Sequence, residues 1–299
     1  MGWEILKIKV DCPECLLHRG FVEIYKATPD DEKRMKAAIA VLKAVADNLT
    51  PQAVPGVIGT LREDVIRRET QNPDLYANDR RASNKAALNL LPALIERIEK
   101  IDDALERFRF AAKVSTVGNL IEFNILGYSV QLDELQTQVD HVKFGTDDSE
   151  DAFKLAKSSS RALLLTDNAG EIVFDKPLVA ELKRIGLSVT VAVKNAPIMN
   201  DATMDDAIHV GMDKVADKII TTGEATVGLS LNGTSQNFRQ VLNQSDLVIA
   251  KGMGHYETMT ERDWNQPILH LLIAKCRPIA TSLGIERGQG AMLLRRPKL

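Results

Sequence analysis

The sequence predicts an α/β protein in which a helical N-terminal region, residues 1–115, precedes an α/β unit, residues 116–299, built on a mostly parallel sheet. Three observations carry the prediction. Apolar residues recur at helical spacing through the first part. Beyond residue 155 short β-rich runs alternate with helical stretches, and each run ends in polar or glycine residues.

Taken in order, Thr28, Pro29 and Asp30 give a start signal for a helix over "DEKRMKAAIAVLKAVADNL", with Met35, Ile39, Leu42 and Val45 on one apolar stripe. A second candidate, "NKAALNLLPALIERIEKIDDALERFRFAAKV", carries Leu88, Leu91, Ile95, Ile98, Ile101 and Leu105, with Pro92 as a kink or join. The runs "RALLLTD", "SVTVAVKN", "DKIITTG" and "SDLVIAKG" then read as strands, the last three reached through crossovers. His209 and His270 sit among apolar residues and read as packed.

A chain of 299 residues can bury a sizeable core. Its 38 basic and 41 acidic side chains leave a formal charge of -3, so no broad polyanion surface is expected, and neither nucleic acid nor a membrane is a predicted partner. Lysine and aspartate break up the first apolar residues before a signal-type core forms, and three cysteines argue against a disulfide framework. The expectation is a soluble, cytoplasmic protein.

In parallel sheets ligands collect beyond the carboxyl ends of the strands. Three such ends carry chemistry here: Asp167 and Asn168, Asn200 and Asp201, and Lys251 followed by Gly252 and Gly254. Two carboxylates and one amide oxygen on one rim make a hard set suited to Mg²⁺ or Mn²⁺, and a lysine opposite would hold a phosphate. The same residues have a plainer reading. Asp and Asn are favoured helix N-caps, so "TDNAGE" equally opens a helix, Asp201 equally caps the segment from Thr203, and a Lys-Gly pair is commonly a solvated turn. No G-x-G-x-x-G, P-loop or G-x-S-x-G motif follows any strand.

"TDNAGEIVFD", "VKNAPIMNDAT" and "DLVIAKGMGHYET" together resemble the damage-control phosphatase family, the former domain of unknown function 89. Upstream, "DLYANDRRASN" resembles the family's Asp-Pro-Tyr…Lys…Ser-Asn motif, and "GNLIEFN" its Gly-Asn-x-Ile-Asp-Phe-Gly. The early Cys12 and Cys15, with Cys276, resemble the short archaeal and bacterial branch. The resemblance implies a three-layer α/β/α, Rossmann-like fold and a metal-dependent phosphatase acting on small phosphorylated metabolites. It implies Asp167, Asn168 and Asp201 as metal ligands, Lys251 on the phosphoryl oxygens, and a pocket shaped by Asn119, Glu122, Asn84, Arg80, Gly252 and Gly254. Glu122, Asn124, Leu75, Arg80 and His255 depart from the family pattern; none is an implied metal ligand.

The expected chemistry is metal-assisted attack of water on a phosphate monoester, with Mn²⁺, Co²⁺, Ni²⁺ or Mg²⁺ as the ion. A methyltransferase using S-adenosylmethionine, acting on carboxyl groups, and a metabolite-binding protein with a weak site are the competing classes. Cys12, Cys15 and His18 share one helical face, and with Cys276 read as a second metal set, as structural thiols or as thiols under redox control.

Overall fold

The computed structural model describes residues 6–120 and 135–297. Five helices come first: α1 (Asp11–Ala27), α2 (Asp31–Asn48), α3 (Pro55–Thr70), α4 (Ala77–Glu99) and α5 (Ala104–Gly118). Asp30 starts α2 by accepting the backbone N–H groups of Glu32 and Lys33, Pro55 occupies the first turn of α3, and Asp103 caps α5. That last cap divides the second helical candidate into α4 and α5. Pro92 lies inside the continuous α4 and joins nothing.

The apolar stripe expected for α2 is corrected by the packing. Met35, Ile39 and Leu42 are 63%, 47% and 45% exposed, whereas Ala37, Val41 and Val45 are buried. Helix α2 packs against α1 and α3 along this narrower face, where Ala37 permits close approach; the two stripes overlap in period and share Val45.

The remaining elements are α6 (Leu135–His141), β1 (Phe144–Asp147), α7 (Ser149–Lys157), β2 (Arg161–Leu165), α8 (Glu171–Ile185), β3 (Ser188–Val193), α9 (Met204–His209), β4 (Lys218–Thr221), α10 (Gln236–Gln244), β5 (Leu247–Lys251), α11 (Gly252–Met259), β6 (Ile268–Ile273), α12 (Arg277–Leu283) and β7 (Gly290–Arg295). The four runs read from sequence are β2 to β5. Among the described residues seven strands form one sheet in the order β1-β7-β6-β5-β2-β3-β4, parallel throughout except for the β6–β7 pair.

The fold is a three-layer α/β/α sandwich. Leu164, Val189, Val191, Leu247 and Ile249 point to the layer that holds α4, α5 and α8, and Leu163, Leu165, Ala192, Val248 and Ala250 point to that holding α10 and α11. Burial on both faces explains why these strands read as unbroken apolar runs. Helices α1 to α3 enclose a separate cluster that also takes in Ile198 and Met199 from the loop after β3. His270 is fully buried in β6, as expected, but His209 is exposed at the end of α9. Among the described residues no helix is long and apolar enough to cross a membrane.

Candidate active site

The chain runs from β2 through β3 to β4 on one side, then returns to place β5 on the other side of β2. That reversal opens a crevice beyond the carboxyl ends of β2 and β5. Asp167 and Asn168 leave β2 at this point. The loop after β3 is zipped to them: Ala202 N–H donates to Asp167 O and Ala169 N–H to Asn200 O, both at 2.8 Å, so that Asn168 and Asp201 form an antiparallel bridge. Asp167, Asn168 and Asp201 thereby line one cavity.

None of the three serves as a helix cap. Helix α8 begins after Gly170 with no capping side chain, and Thr203 with Asp206 forms the capping box of α9. Their side chains are held for another task. Asn119 Nδ2 donates to Asp167 Oδ2 at 2.8 Å and to Glu171 Oε2 at 2.9 Å; Asn168 Nδ2 donates to the same two oxygens, each at 2.9 Å. Two amides thus fix one carboxylate oxygen of Asp167.

Lys251, expected on the phosphoryl oxygens, does not line the cavity. Its ammonium, fully buried, meets Glu171 Oε1, Asp175 Oδ1 at 3.0 Å and the Ser115 carbonyl at 2.8 Å. Burial acts to lower its pKa, but the carboxylates of Asp175 and Glu171 reverse this and the net direction is up. Burial also raises the Asp175 carboxyl to about 6, with Lys251 opposing the rise. The network is a buried foundation: Lys251 fixes Glu171, and Glu171 fixes the two amides that grip Asp167.

The implied substrate contacts also separate. Gly254 lines the cavity. Gly252, at φ +75°, backs Asp167 so closely that a Cβ would fall 1.9 Å from Oδ2. Asn119 is buried behind Asp167 and accepts Ile273 N–H at 3.3 Å, so it orients the acid without reaching the cavity. Arg80 bonds Asp74 and Asp206, and Asn84 bridges Asp206 and the Gly170 N–H, so both brace α4 against the turn and α9 and do not line the cavity. Glu122 lies outside the described residues.

Sequence reasoning missed Glu171, Asp175 and Lys194. Lys194, almost fully buried, donates to the Gly228 carbonyl and lies 3.6 Å from Asp201 Oδ2, so it faces the acid that Lys251 does not. A lysine directly after an apolar run was the available signal. Arg19 and Arg62 of the helical region line the cavity as well; Arg62 Nε and Nη2 bond the Glu23 carboxylate at 2.8 and 2.7 Å.

The donor set fits a hard cation. Because Asn168 spends its Nδ2 on carboxylates, its Oδ1 is the atom turned to other use, and it adds an amide oxygen to two carboxylates. Among the described residues no three His, Cys, Asp or Glu side chains gather to hold an ion, so this trio would rely on water and substrate for its other positions. Cys12, Cys15 and Cys276 line the same cavity, none of them in a disulfide. Burial raises the Cys12 thiol and pushes Cys276 up to about 12, which keeps both protonated.

The chain is 33% identical to a damage-control phosphatase of Archaeoglobus fulgidus, over 95% of this chain and 97% of that one. It is 31% identical to a damage-control phosphatase of Pyrococcus horikoshii, over 95% and 96% respectively. The crystal structure of a DUF89 family protein from Pyrococcus horikoshii superimposes with a TM-score of 0.86 at 30% identity, covering 98% of this chain and 99% of that one. The model of the damage-control phosphatase ARMT1-like domain matches residues 8–290, and the chain belongs to that family.

Proposed function

We propose that the protein is a metal-dependent phosphomonoester hydrolase that clears small phosphorylated metabolites in the cytoplasm, with Asp167, Asn168 and Asp201 holding the ion. The observation that carries this reading is the meeting of two carboxylates and an amide oxygen on one cavity wall at the crevice between β2 and β5. The two relatives named damage-control phosphatase support it.

When bound, the ion supplies a Lewis acid for the phosphoryl oxygen and lowers the pKa of an attacking water. The chain's own residues do the rest. Asn119 and Asn168 hold Asp167 in one orientation, and Lys194 stands beside Asp201 and balances its charge. Arg19 brings a guanidinium to the cavity wall, where it meets charge that develops on the transferring group. Leu16, Met199, Val227 and Met253 make much of the wall apolar, which strengthens these electrostatic contacts by thinning out water.

A ligand set without imidazole or thiolate binds along the first-row order, so Mn²⁺, Co²⁺ or Ni²⁺ is held more tightly than Mg²⁺. The test is phosphate release from a panel of phosphomonoesters by metal-stripped protein given each ion in turn. Full activity in excess chelator would refute the reading.

A further inference from the structure

Met199 stands two residues before Asp201 with φ 47°, in the left-handed region that side-chain-bearing residues rarely adopt. Such a conformation persists only where its surroundings enforce it. Here the enforcement comes from α3. Glu63, 1% exposed, accepts the Met199 N–H at Oε2 over 2.6 Å. One helical turn further on, Arg67 Nη1 donates to the Pro197 carbonyl at 2.7 Å. The Met199 Sδ faces the guanidiniums of Arg19 and Arg62 at 3.7 and 3.8 Å.

On its other flank the same loop is tied to the sheet. Asp201 N–H closes a turn on the Ile198 carbonyl at 3.1 Å, and the Asn200 carbonyl and Ala202 N–H bond the chain around Asp167. The Asp201 carboxylate therefore sits where two grips meet, one from α3 and one from the end of β2. Burying a carboxylate to receive a single loop N–H is unfavourable unless that bond is made. The helical cluster is apolar around Ile58 and Ile66 and also buries the Arg62–Glu23 pair, but the hydrogen bond that Glu63 makes goes to the loop, at the Met199 N–H.

We infer that Glu63 is a positioning residue: through the strained Met199 it fixes Asp201 opposite Asp167 and Asn168 and so sets the affinity of the site for its ion. This rests on the metal reading proposed above. It also gives the helical region a part in the chemistry beyond lining the cavity, because α3 then determines where a ligand from the sheet side can stand.

The experiment is Mn²⁺ titration of the stripped protein by calorimetry, with thermal unfolding followed in parallel. Glu63→Ala is expected to weaken Mn²⁺ binding about 10- to 100-fold, the range seen when a group that orients a ligand is removed. Glu63→Gln keeps an oxygen acceptor and is expected to stay within about threefold of wild type, on the same principle. Adding Met199→Gly to Glu63→Ala should recover part of the affinity, because glycine adopts the left-handed conformation without being held there. A purely structural role would lower the melting temperature and leave the Mn²⁺ affinity of the folded fraction alone. Should Glu63→Ala fail to fold, Glu63→Asp keeps a carboxyl group, withdraws it by one methylene and is expected to show the same loss. Binding by Glu63→Ala or Glu63→Asp within about twofold of wild type overturns the inference, against the tenfold expectation. Asp201→Asn is the control: Mn²⁺ binding that it leaves untouched refutes the metal reading itself, and the positioning role falls with it.

Discussion

Lys251→Met tests the buried network most directly. The ammonium is fully enclosed, and both carboxylates that face it, Glu171 and Asp175, are fully buried too. Methionine fills much of the stem's volume, so the change is chiefly one of charge. Removing one partner of a buried pair costs about 3–5 kcal/mol, because the other is left uncompensated. Here two acids are left, so the expected loss lies toward the upper end of that range. The Ser115 hydroxyl, 2.6 Å from Asp175 Oδ1, compensates only one of them.

The loss also carries a pH signature. Without Lys251 the Asp175 carboxyl, already raised by burial, binds its proton still more readily in the folded state than in the unfolded chain, so lowering the pH stabilises the variant relative to wild type. Asp175 already sits at about 6 with its counter-ion present. The gap between variant and wild type in urea denaturation should therefore be widest near pH 8 and narrow toward pH 5. Mn²⁺ affinity should fall as well, since Glu171 is then no longer fixed beneath Asn119 and Asn168. A variant with the wild-type urea midpoint at pH 7 and a collapsed kcat would refute this reasoning and return the ammonium to the phosphoryl group.

Other outcomes follow from the same geometry. Asp167→Ala and Asp201→Ala should each abolish Mn²⁺ binding and phosphate release while the circular dichroism spectrum stays native; wild-type turnover in either would mean that the site lies elsewhere. Gly252→Ala should cost about 1–2 kcal/mol from its positive φ alone, and should weaken the ion further because the new Cβ falls on Asp167 Oδ2, which a metal titration would reveal. His270 is buried with neither ring nitrogen bonded, and burial lowers its pKa to about 3. The unfolded chain then binds the extra proton below pH 6.5, so this residue removes about 2 kcal/mol of stability between pH 7 and 5. His270→Phe, which keeps the edge-on ring contact to Tyr256, should flatten that part of the stability–pH curve, and an unchanged slope would count against it.

Much of the sheet was legible because strands buried on both faces are written as continuous apolar runs bounded by polar residues, as β2, β3 and β5 are. Strand β1 left no such trace: its four residues sit at the sheet edge and alternate between half-buried and exposed. Strand β6 is entirely buried yet carries His270 in mid-run, a residue whose polarity hides the pattern. In α2 the period was right and the phase wrong, since Met35–Ile39–Leu42 and Ala37–Val41–Val45 both recur helically and only the position of α1 and α3 chooses between them. Glu63 gave no signal, because its partner is a backbone N–H more than a hundred residues away.

The two strand-end lysines show where sequence could have said more. Lys251 and Lys194 both follow apolar runs, and position alone makes them equivalent. The pleat does not. In β5, Leu247 and Ile249 face the layer of α5 and α8, so Lys251, two residues on, points the same way and meets Ser115, Glu171 and Asp175. In β3, Val191 and Val193 take that face, so Lys194 points to the opposite one. Asp167 shares the parity of Leu163 and Leu165, which also lie on that opposite side. Lys194 and Asp167 are therefore delivered to one face and Lys251 to the other by strand parity alone. The charge at the end of β5 stabilises the support behind Asp167, and the charge at the end of β3 stands beside Asp201.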